Sequence, residues 1–171
     1  PGPAEEERLR QAAGLLGGTA ADVGDRVRAL LDRQKQLERE LDALKAKAAS
    51  GATSDLAAGA VDVAGLKVVA ARIEGLDARA LRDAVDRLKQ QLGDVVVVLA
   101  GANAGKAALV AGVGGAAAGR VKAGELLSEI AGRIGGKGGG RPDLAQGGGE
   151  DGPALQAALA EVSRWVAERA G

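Results

Sequence analysis

The glycine-rich run "GGKGGGRPDLAQGGG", residues 135–149, carries the side chains best suited to bind an anion. Lys137 supplies a point charge, and Arg141 supplies a planar guanidinium that can grip a phosphate with two hydrogen bonds. Asp143 can cap the segment or orient Arg141, and the amide of Gln146 can reach a ribose hydroxyl or a base edge. The pattern fits a phosphate cradle. It fits equally well a buried structural loop whose glycines let chain segments cross.

The order of residues in this run argues against a flexible linker, which would be padded with Ser or Thr. The run contains neither residue type. Gly138, Gly139 and Gly140 are predicted to adopt positive φ angles and to bring backbone amides close to a ligand. Pro142 restricts the backbone directly after Arg141. We therefore interpret residues 135–149 as a glycine-rich loop with a defined task.

A second basic segment, Arg120 and Lys122, follows the glycine-rich stretch "GVGGAAAG" and opens a predicted helix. Free amides and positive charge at such a position favour phosphate binding, although a loop packed tightly for steric reasons is an equally good interpretation. The candidate phosphate-binding residues are Arg120, Lys122, Lys137, Gly138, Gly139, Gly140, Arg141, Asp143 and Gln146.

Two other glycine motifs do not predict nucleotide sites. "GANAGKAAL" is one residue short of a P-loop, and Ala107 stands where a magnesium-binding Ser or Thr belongs, so we interpret it as a hairpin turn. "GVGGAA" has the spacing of a dinucleotide fingerprint, but no βαβ unit follows it.

The amino-acid composition argues against several classes of function. The chain of 171 residues contains no His and no Cys, which removes the imidazole base, the thiolate nucleophile and the usual zinc ligands. No catalytic arrangement emerges, so we expect no enzymatic activity, cofactor or metal in this segment. Trp165 is the only aromatic residue, which argues against RNA modules that stack bases on aromatic rings. Its position on the predicted last helix favours a place in the core.

The charge and the hydropathy of the chain indicate how it could bind nucleic acid or a membrane. The formal net charge is zero, so nucleic-acid binding would have to come from a local patch. No uncharged run approaches the ~20 residues that cross a bilayer, and no signal peptide is apparent. We therefore expect no membrane partner, and the absence of Cys favours a cytoplasmic protein. Because the chain opens on Pro1 without an initiator Met, we expect a piece of a longer protein.

The N-terminal part, residues 1–50, is predicted to be a helical arm. A first helix spans residues 4–16, "GGTA" breaks it, and Asp22 is expected to cap a second helix. The second helix carries a heptad seam with one polar member: Val27, Leu30, Gln34, Leu37, Leu41, Leu44 and Ala48. The arm would either fold into an antiparallel helical hairpin or pair with another copy through Val27, Leu30, Leu37, Leu41 and Leu44.

Residues 51–171 are predicted to form a separate globular α+β domain, because the composition shifts at "ASGATSDLAAG". The pattern predicts two strands around Ala64-Gly65 and a strand hairpin in "DVVVVLAGANAGKAALVAGVG", whose valine run indicates a strand covered on both faces. Three helices are predicted over residues 77–92, 120–134 and 153–169. The expected fold is a small mixed sheet with helices.

The segment "RVKAGELLSEIAGRIGGKGGGRPDLAQGGG" resembles the C-terminal domain of bacterial alanyl-tRNA synthetases. The flanking stretches "ALRDAVDRLKQQLG" and "ALQAALAEVSRWV" agree with this resemblance, as does "VRALLDRQKQLERELDALK" in the arm. The similarity extends over essentially the whole chain, with Gly147 a departure from an alanine that is frequent in the family.

This resemblance implies a parent enzyme that activates alanine with ATP and magnesium and charges tRNA(Ala). It also implies a zinc-containing editing domain that clears seryl- or glycyl-tRNA, with both active sites upstream of this segment. In the family the C-terminal domain binds the outer corner of tRNA, couples charging to editing, and in some bacteria contributes to a homodimer. The implied partners are tRNA(Ala) and the rest of the synthetase, and the candidate phosphate-binding residues become candidate tRNA contacts.

The globular part is also similar to the DHH-associated domain of phosphoesterases, in which a related glycine motif holds the substrate. Those enzymes commonly have a histidine at the place of Arg141, and their metal-binding motifs lie on a separate domain. A nucleic-acid-binding domain of the phosphoesterase type is therefore a further alternative, without phosphoesterase activity.

Overall fold

The computed structural model describes residues 2–171. The chain forms two compact units, one up to Ala46 and the other Lys47–Gly171. The long helix α2, Val23–Ala58, contributes to both and passes without interruption through the stretch where the sequence predicts a boundary between residues 50 and 51.

The first unit contains helix α1, Pro3–Leu15, a 3₁₀ turn, Ala20–Asp22, and the first part of α2. The expectation that Asp22 caps the second helix is wrong. Asp22 ends the 3₁₀ turn, and its carboxylate accepts hydrogen bonds from the backbone and hydroxyl of Thr19, which lower its pKa. The guanidinium of Arg26 reaches back to the carbonyl of Leu16 and holds the connection between the helices.

Seam residues of α2 remain about half exposed, from 40% at Val27 to 65% at Leu44, with Leu30, Leu37 and Leu41 between. Helix α1 therefore does not bury them. A second copy as their partner stays a prediction.

The second unit is an α+β domain built on one six-stranded sheet, as the sequence predicts in class. Its strands are β1 Val61–Val63, β2 Leu66–Glu74, β3 Val95–Asn103, β4 Lys106–Gly114, β5 Lys137–Gly140 and β6 Leu144–Glu150. They lie in the order β1-β2-β3-β4-β6-β5, antiparallel except for the parallel pair β2–β3. The helices are α3 Ala78–Leu92, α4 Ala123–Arg133, α5 Pro153–Ala160 and α6 Val162–Ala170.

Helices cover the two faces of the sheet unequally. On one face α3 packs over β3 and β4, and the end of α2 joins the same core through Ala57. On the other face α4 packs over β4, β5 and β6, while α5 and α6 lie against β2. The central strand β3 is buried on both faces from Val95 to Ala102, which confirms the interpretation of the valine run.

Three local predictions differ from the structure. The predicted glycine-rich loop 135–149 is a β-hairpin of β5 and β6 at the sheet edge. The predicted helix 120–134 begins only at Ala123, after a 3₁₀ turn over Gly115–Gly119. The predicted last helix is broken at Glu161 into α5 and α6, and Leu155 of α5 and Trp165 and Val166 of α6 all lie in the core.

Candidate nucleic-acid interface at the glycine-rich hairpin

Most glycines of the hairpin are required by close packing between backbones. A Cβ atom on Gly138 would lie 2.3 Å from Leu127 Cδ1 of α4, and one on Gly136 would lie 1.7 Å from the carbonyl oxygen of Gly148. Gly124 of α4 similarly leaves room for the carbonyl of Gly140, at 2.7 Å from the added atom. These glycines let α4 and two strands approach more closely than any side chain would allow.

The predicted positive φ angles are wrong for two of the three central glycines. Gly138 and Gly139 are extended strand residues, and in this trio only Gly140 has a positive φ, 158°, close to extended. The backbone amides of an edge strand point in the plane of the sheet, either towards the neighbouring strand β6 or towards solvent. They do not form a concave anion nest.

The hairpin separates two hollows in the surface. We call the first the α4-side cleft, which has a volume of about 610 Å³ and is lined by Lys122, Glu125, Pro142, Arg169 and the backbone of Gly138–Gly140. The second, the α3-side hollow, has a volume of about 260 Å³. Its lining includes Arg82, Gly139, Arg141, Leu144 and Gln146.

Strand alternation assigns Lys137 to the α3 side. Gln146 pairs with Gly139 on β5 and with Val110 on β4, and Val110 belongs to the core under α3. Because side chains two residues apart share a face, Lys137 projects on the same side as Gly139. Lys137 is exposed, and it has no ion pair among the described residues.

Arg141 lies in the turn between β5 and β6, and its side chain is 72% exposed. Its Nε atom is 3.5 Å from a carboxylate oxygen of Asp143, and its backbone amide donates to the carbonyl of Leu144. The long distance and the exposure leave the guanidinium available to a second anion. The contact with Asp143 orients the guanidinium but is too weak to fix its position.

The second predicted basic segment is divided by the structure. Arg120 donates a hydrogen bond to the carbonyl of Ala64 in the β1–β2 turn, at the opposite edge of the sheet from β5. Lys122 lies at the start of α4 in the α4-side cleft. Two of the backbone amides there are engaged, since Ala116 donates to the Asp94 carboxylate and Ala123 to the carbonyl of Pro142. These two bonds tie the glycine-rich stretch and the start of α4 to the rest of the fold, and phosphate binding at this position stays a prediction.

Two arginines outside the predicted basic segments also line these hollows. Arg82 stands on the flank of α3 that faces the hairpin. The guanidinium of Arg169 stacks on the ring of the buried Trp165, 3.6 Å from its centroid, and lines the α4-side cleft. Helical periodicity places Arg82 at the margin of the apolar face of α3. Only the strand order shows that the hairpin of β5 and β6 lies beside this margin.

A metal site is not evident in the described part of the chain, where no cluster of three or more acidic, His or Cys side chains is found. None of the helices over residues 2–171 is both long and apolar enough to span a membrane.

A family of known domains matches most of the globular unit. Residues 65–168 match the family described as the DHHA1 domain. The chain belongs to the DHHA1 domain family. The match contains β2 to β6 and the whole glycine-rich hairpin.

Relatives of this DHHA1 domain are found within longer proteins. The alanine–tRNA ligase of Stenotrophomonas maltophilia is 74% identical over 166 residues, which are 97% of this chain and 19% of that protein. The alanine–tRNA ligase of Xanthomonas oryzae pv. oryzae is 70% identical over 167 residues. The chain thus spans about a fifth of the length of the curated relatives it matches.

A solved structure shares the fold. The C-Ala domain of the Aquifex aeolicus alanyl-tRNA synthetase superposes with a TM-score of 0.59 at 29% sequence identity. The alignment covers 63% of this chain and 97% of that one. The resemblance to the C-terminal domain of alanyl-tRNA synthetases is therefore confirmed.

Proposed function

We propose that this chain is the tRNA-binding and coupling module of an alanine–tRNA ligase. In this role it binds the outer corner of tRNA(Ala) and helps to link aminoacylation with editing of mischarged tRNA. The 70–74% identity to alanine–tRNA ligases supports the parent activity, alanine activation with ATP and transfer to tRNA. The catalytic chemistry, with its magnesium and zinc, belongs to other parts of the parent protein, and a role in translation implies a cytoplasmic location.

The observation that carries RNA contact is the presence of two exposed cations, Lys137 and Arg141, on either side of Gly138–Gly140, where β5 carries no side chains. A surface with few side chains lets a nucleic-acid backbone approach closely, and the cations then meet its phosphates. The absence of stacking aromatics favours recognition of RNA shape over recognition of unpaired bases. Because the net charge is zero, attraction to RNA has to come from a local basic patch such as this one.

Removing both charges tests the proposal. We expect the K137A/R141A variant to bind a tRNA(Ala) transcript more weakly than the wild-type chain, in a gel-shift titration at two salt concentrations. The slope of log K against log salt should also become shallower, by about 0.7–0.9 for each lost phosphate contact. The matched control, K47A/R87A, removes two exposed cations elsewhere and should bind as the wild type does.

The proposal fails if the wild-type chain binds tRNA no better than a duplex RNA of the same length, or if K137A/R141A and the control behave alike. Comparable affinity for single-stranded DNA and tRNA would instead favour the nucleic-acid-binding domain of the phosphoesterase type.

A second candidate function is assembly through the arm, with a homodimer as its product. It is favoured by the exposure of the leucine seam on α2, which is 47–65% at Leu30, Leu37, Leu41 and Leu44. Both functions are compatible in one protein, because the seam and the hairpin belong to different units.

A further inference from the structure

No contact within the folded chain requires residue 139 to be a glycine. Of the glycines in the six described strands, it alone has neither a positive φ nor a neighbour that an added Cβ atom would meet within 4 Å. Its immediate neighbours Gly138 and Gly140 would each meet backbone atoms at 2.9 Å or less. A glycine that no contact requires lowers the stability of a β-strand, because it has no side chain to pack and loses more conformational entropy on folding than other residues do. Some contact from outside the chain therefore explains it best.

The open space in front of Gly139 is the α3-side hollow. Helix α3 packs over β3 and β4 on this face of the sheet, and Leu144 of the hairpin packs against the core under it. Gly139 remains open and forms part of the floor. Leu144 and Gln146 complete the floor, and Arg82 of α3 forms the opposite wall. A chain laid into the hollow would meet the bare backbone of Gly139 and the side chains of Leu144 and Gln146 below, with cations at the sides.

The charges around this hollow are positive and available. Arg82 and Lys137 are exposed and make no ion pair among the described residues, and Arg141 has only the long contact to Asp143. Farther along the same flank of α3, the side chain of Lys89 lies over Gly112 and Gly114 of β4. Asp86 is turned farther towards solvent on α3. A polyanion matches this arrangement.

The α4-side cleft is less suited to an anion. Its cations Lys122 and Arg169 share the lining with the carboxylates of Glu125 and Glu129, and Arg169 is already stacked on Trp165. Of its glycines, Gly124 and Gly138 are explained by close packing between α4 and the hairpin, and Gly140 by close contact with β6. Gly139 also borders this cleft, but strand alternation directs the place of its missing side chain to the α3 side. The two sides of the hairpin therefore differ in charge and in the reason for their glycines.

We infer that the α3-side hollow seats the sugar–phosphate backbone of the bound RNA, with Gly139 as the point of closest approach and Arg82 as a phosphate-binding residue. This inference rests on the proposed function and assigns it to one face of the hairpin. Arg82 and Gly139 are distant in the sequence, and the fold brings them to the wall and the floor of the same hollow.

Two substitutions test the inference, with fluorescence anisotropy of a labelled tRNA(Ala) transcript as the measurement. R82A removes the wall cation and should weaken binding about tenfold, as expected for the loss of one charge-assisted hydrogen bond. G139V fills the floor with a side chain that suits a strand and should weaken binding to a similar extent while the chain stays folded. R87A, on the opposite flank of α3, is the matched control and should bind as the wild type does.

The outcomes separate this inference from the proposed function. If the wild-type chain binds tRNA but R82A and G139V bind equally well, the hollow is not the RNA seat, although the proposed function stands. If K122A weakens binding and R82A does not, the RNA lies on the α4 side and the inference is overturned. If the wild-type chain does not bind tRNA, both fail. Should G139V unfold, G139A together with R82A gives the same decision, because a single methyl group at position 139 meets no other atom of the chain.

Discussion

Neighbouring glycines in the hairpin have different reasons to be glycine. Gly138 faces α4, where a Cβ atom would come within 2.3 Å of Leu127 Cδ1 and 2.9 Å of Gly147 Cα. Gly139 faces open space on the other side of the strand. The two hypotheses that the sequence left open, scaffold and ligand contact, therefore apply to different residues of one motif.

We expect the G138A variant to be less stable than the wild type by ~1–3 kcal/mol, because the added methyl group must displace packed backbone and Leu127. Urea unfolding followed by circular dichroism measures the free energy of unfolding. G139A is the matched control, and its stability should equal or slightly exceed that of the wild type. Equal losses in both variants would contradict the packing explanation.

At the scale of elements, helix α2 carries an apolar seam that the first unit leaves half exposed. Long helices with such a seam are typically covered by another helix, since the exposed leucines otherwise remain in water. Charged residues of both signs cover the rest of α2 and keep the helix hydrated. The element is therefore suited to a partner, and a second copy is the one we propose.

We expect the L37A/L41A variant to leave the stability of the globular unit unchanged and to lower self-association, because both side chains belong to the exposed seam. Sedimentation velocity at several concentrations measures the association. An R33A/K35A variant changes the same helix off the seam and serves as the control. A wild-type chain that stays monomeric at every concentration would remove the assembly function.

At the scale of the whole globular unit, an ion pair joins segments distant in sequence. The guanidinium of Arg72 on β2 donates two hydrogen bonds, of 2.8 and 2.7 Å, to the carboxylate of Asp151 between β6 and α5. These bonds lower the pKa of Asp151 and raise that of Arg72. Because the Asp151 side chain is only 16% exposed, the pair is better shielded from water than the other ion pairs of the unit.

This pair predicts a pH dependence of stability. The pKa of Asp151 is lower in the folded chain than its value of about 3.9 in an unfolded chain, so the pair stabilises the fold above that pH. The contribution is lost as the pH falls through the folded pKa. We expect D151N to lower Tm at pH 7, with a difference from the wild type that shrinks below about pH 4. A thermal melt series measures this; D62N, in the exposed pair with Lys67, should change Tm less.

Much of the globular unit could be predicted from the sequence because its signals are local. The valine run 95–98, the turns at Ala64-Gly65 and Ala104-Gly105, and the apolar spacing of α3 each specify an element by themselves. The hairpin of β5 and β6 could not be predicted in the same way. Strands rich in glycine lack the alternating apolar pattern, and they form here because β4 and α4 supply the packing from outside.

The sequence by itself determined the class of the fold, the apolar seam of the arm, the absence of His and Cys chemistry, and the presence of Lys137 and Arg141 among glycines. Only the tertiary structure decided what those residues face. The strand order brings Arg82 beside the hairpin and sends Arg120 to the opposite edge, since pairing between distant strands is fixed by the whole sheet and not by local spacing. It also separates Gly138, which is needed for packing, from Gly139, which is open to a ligand.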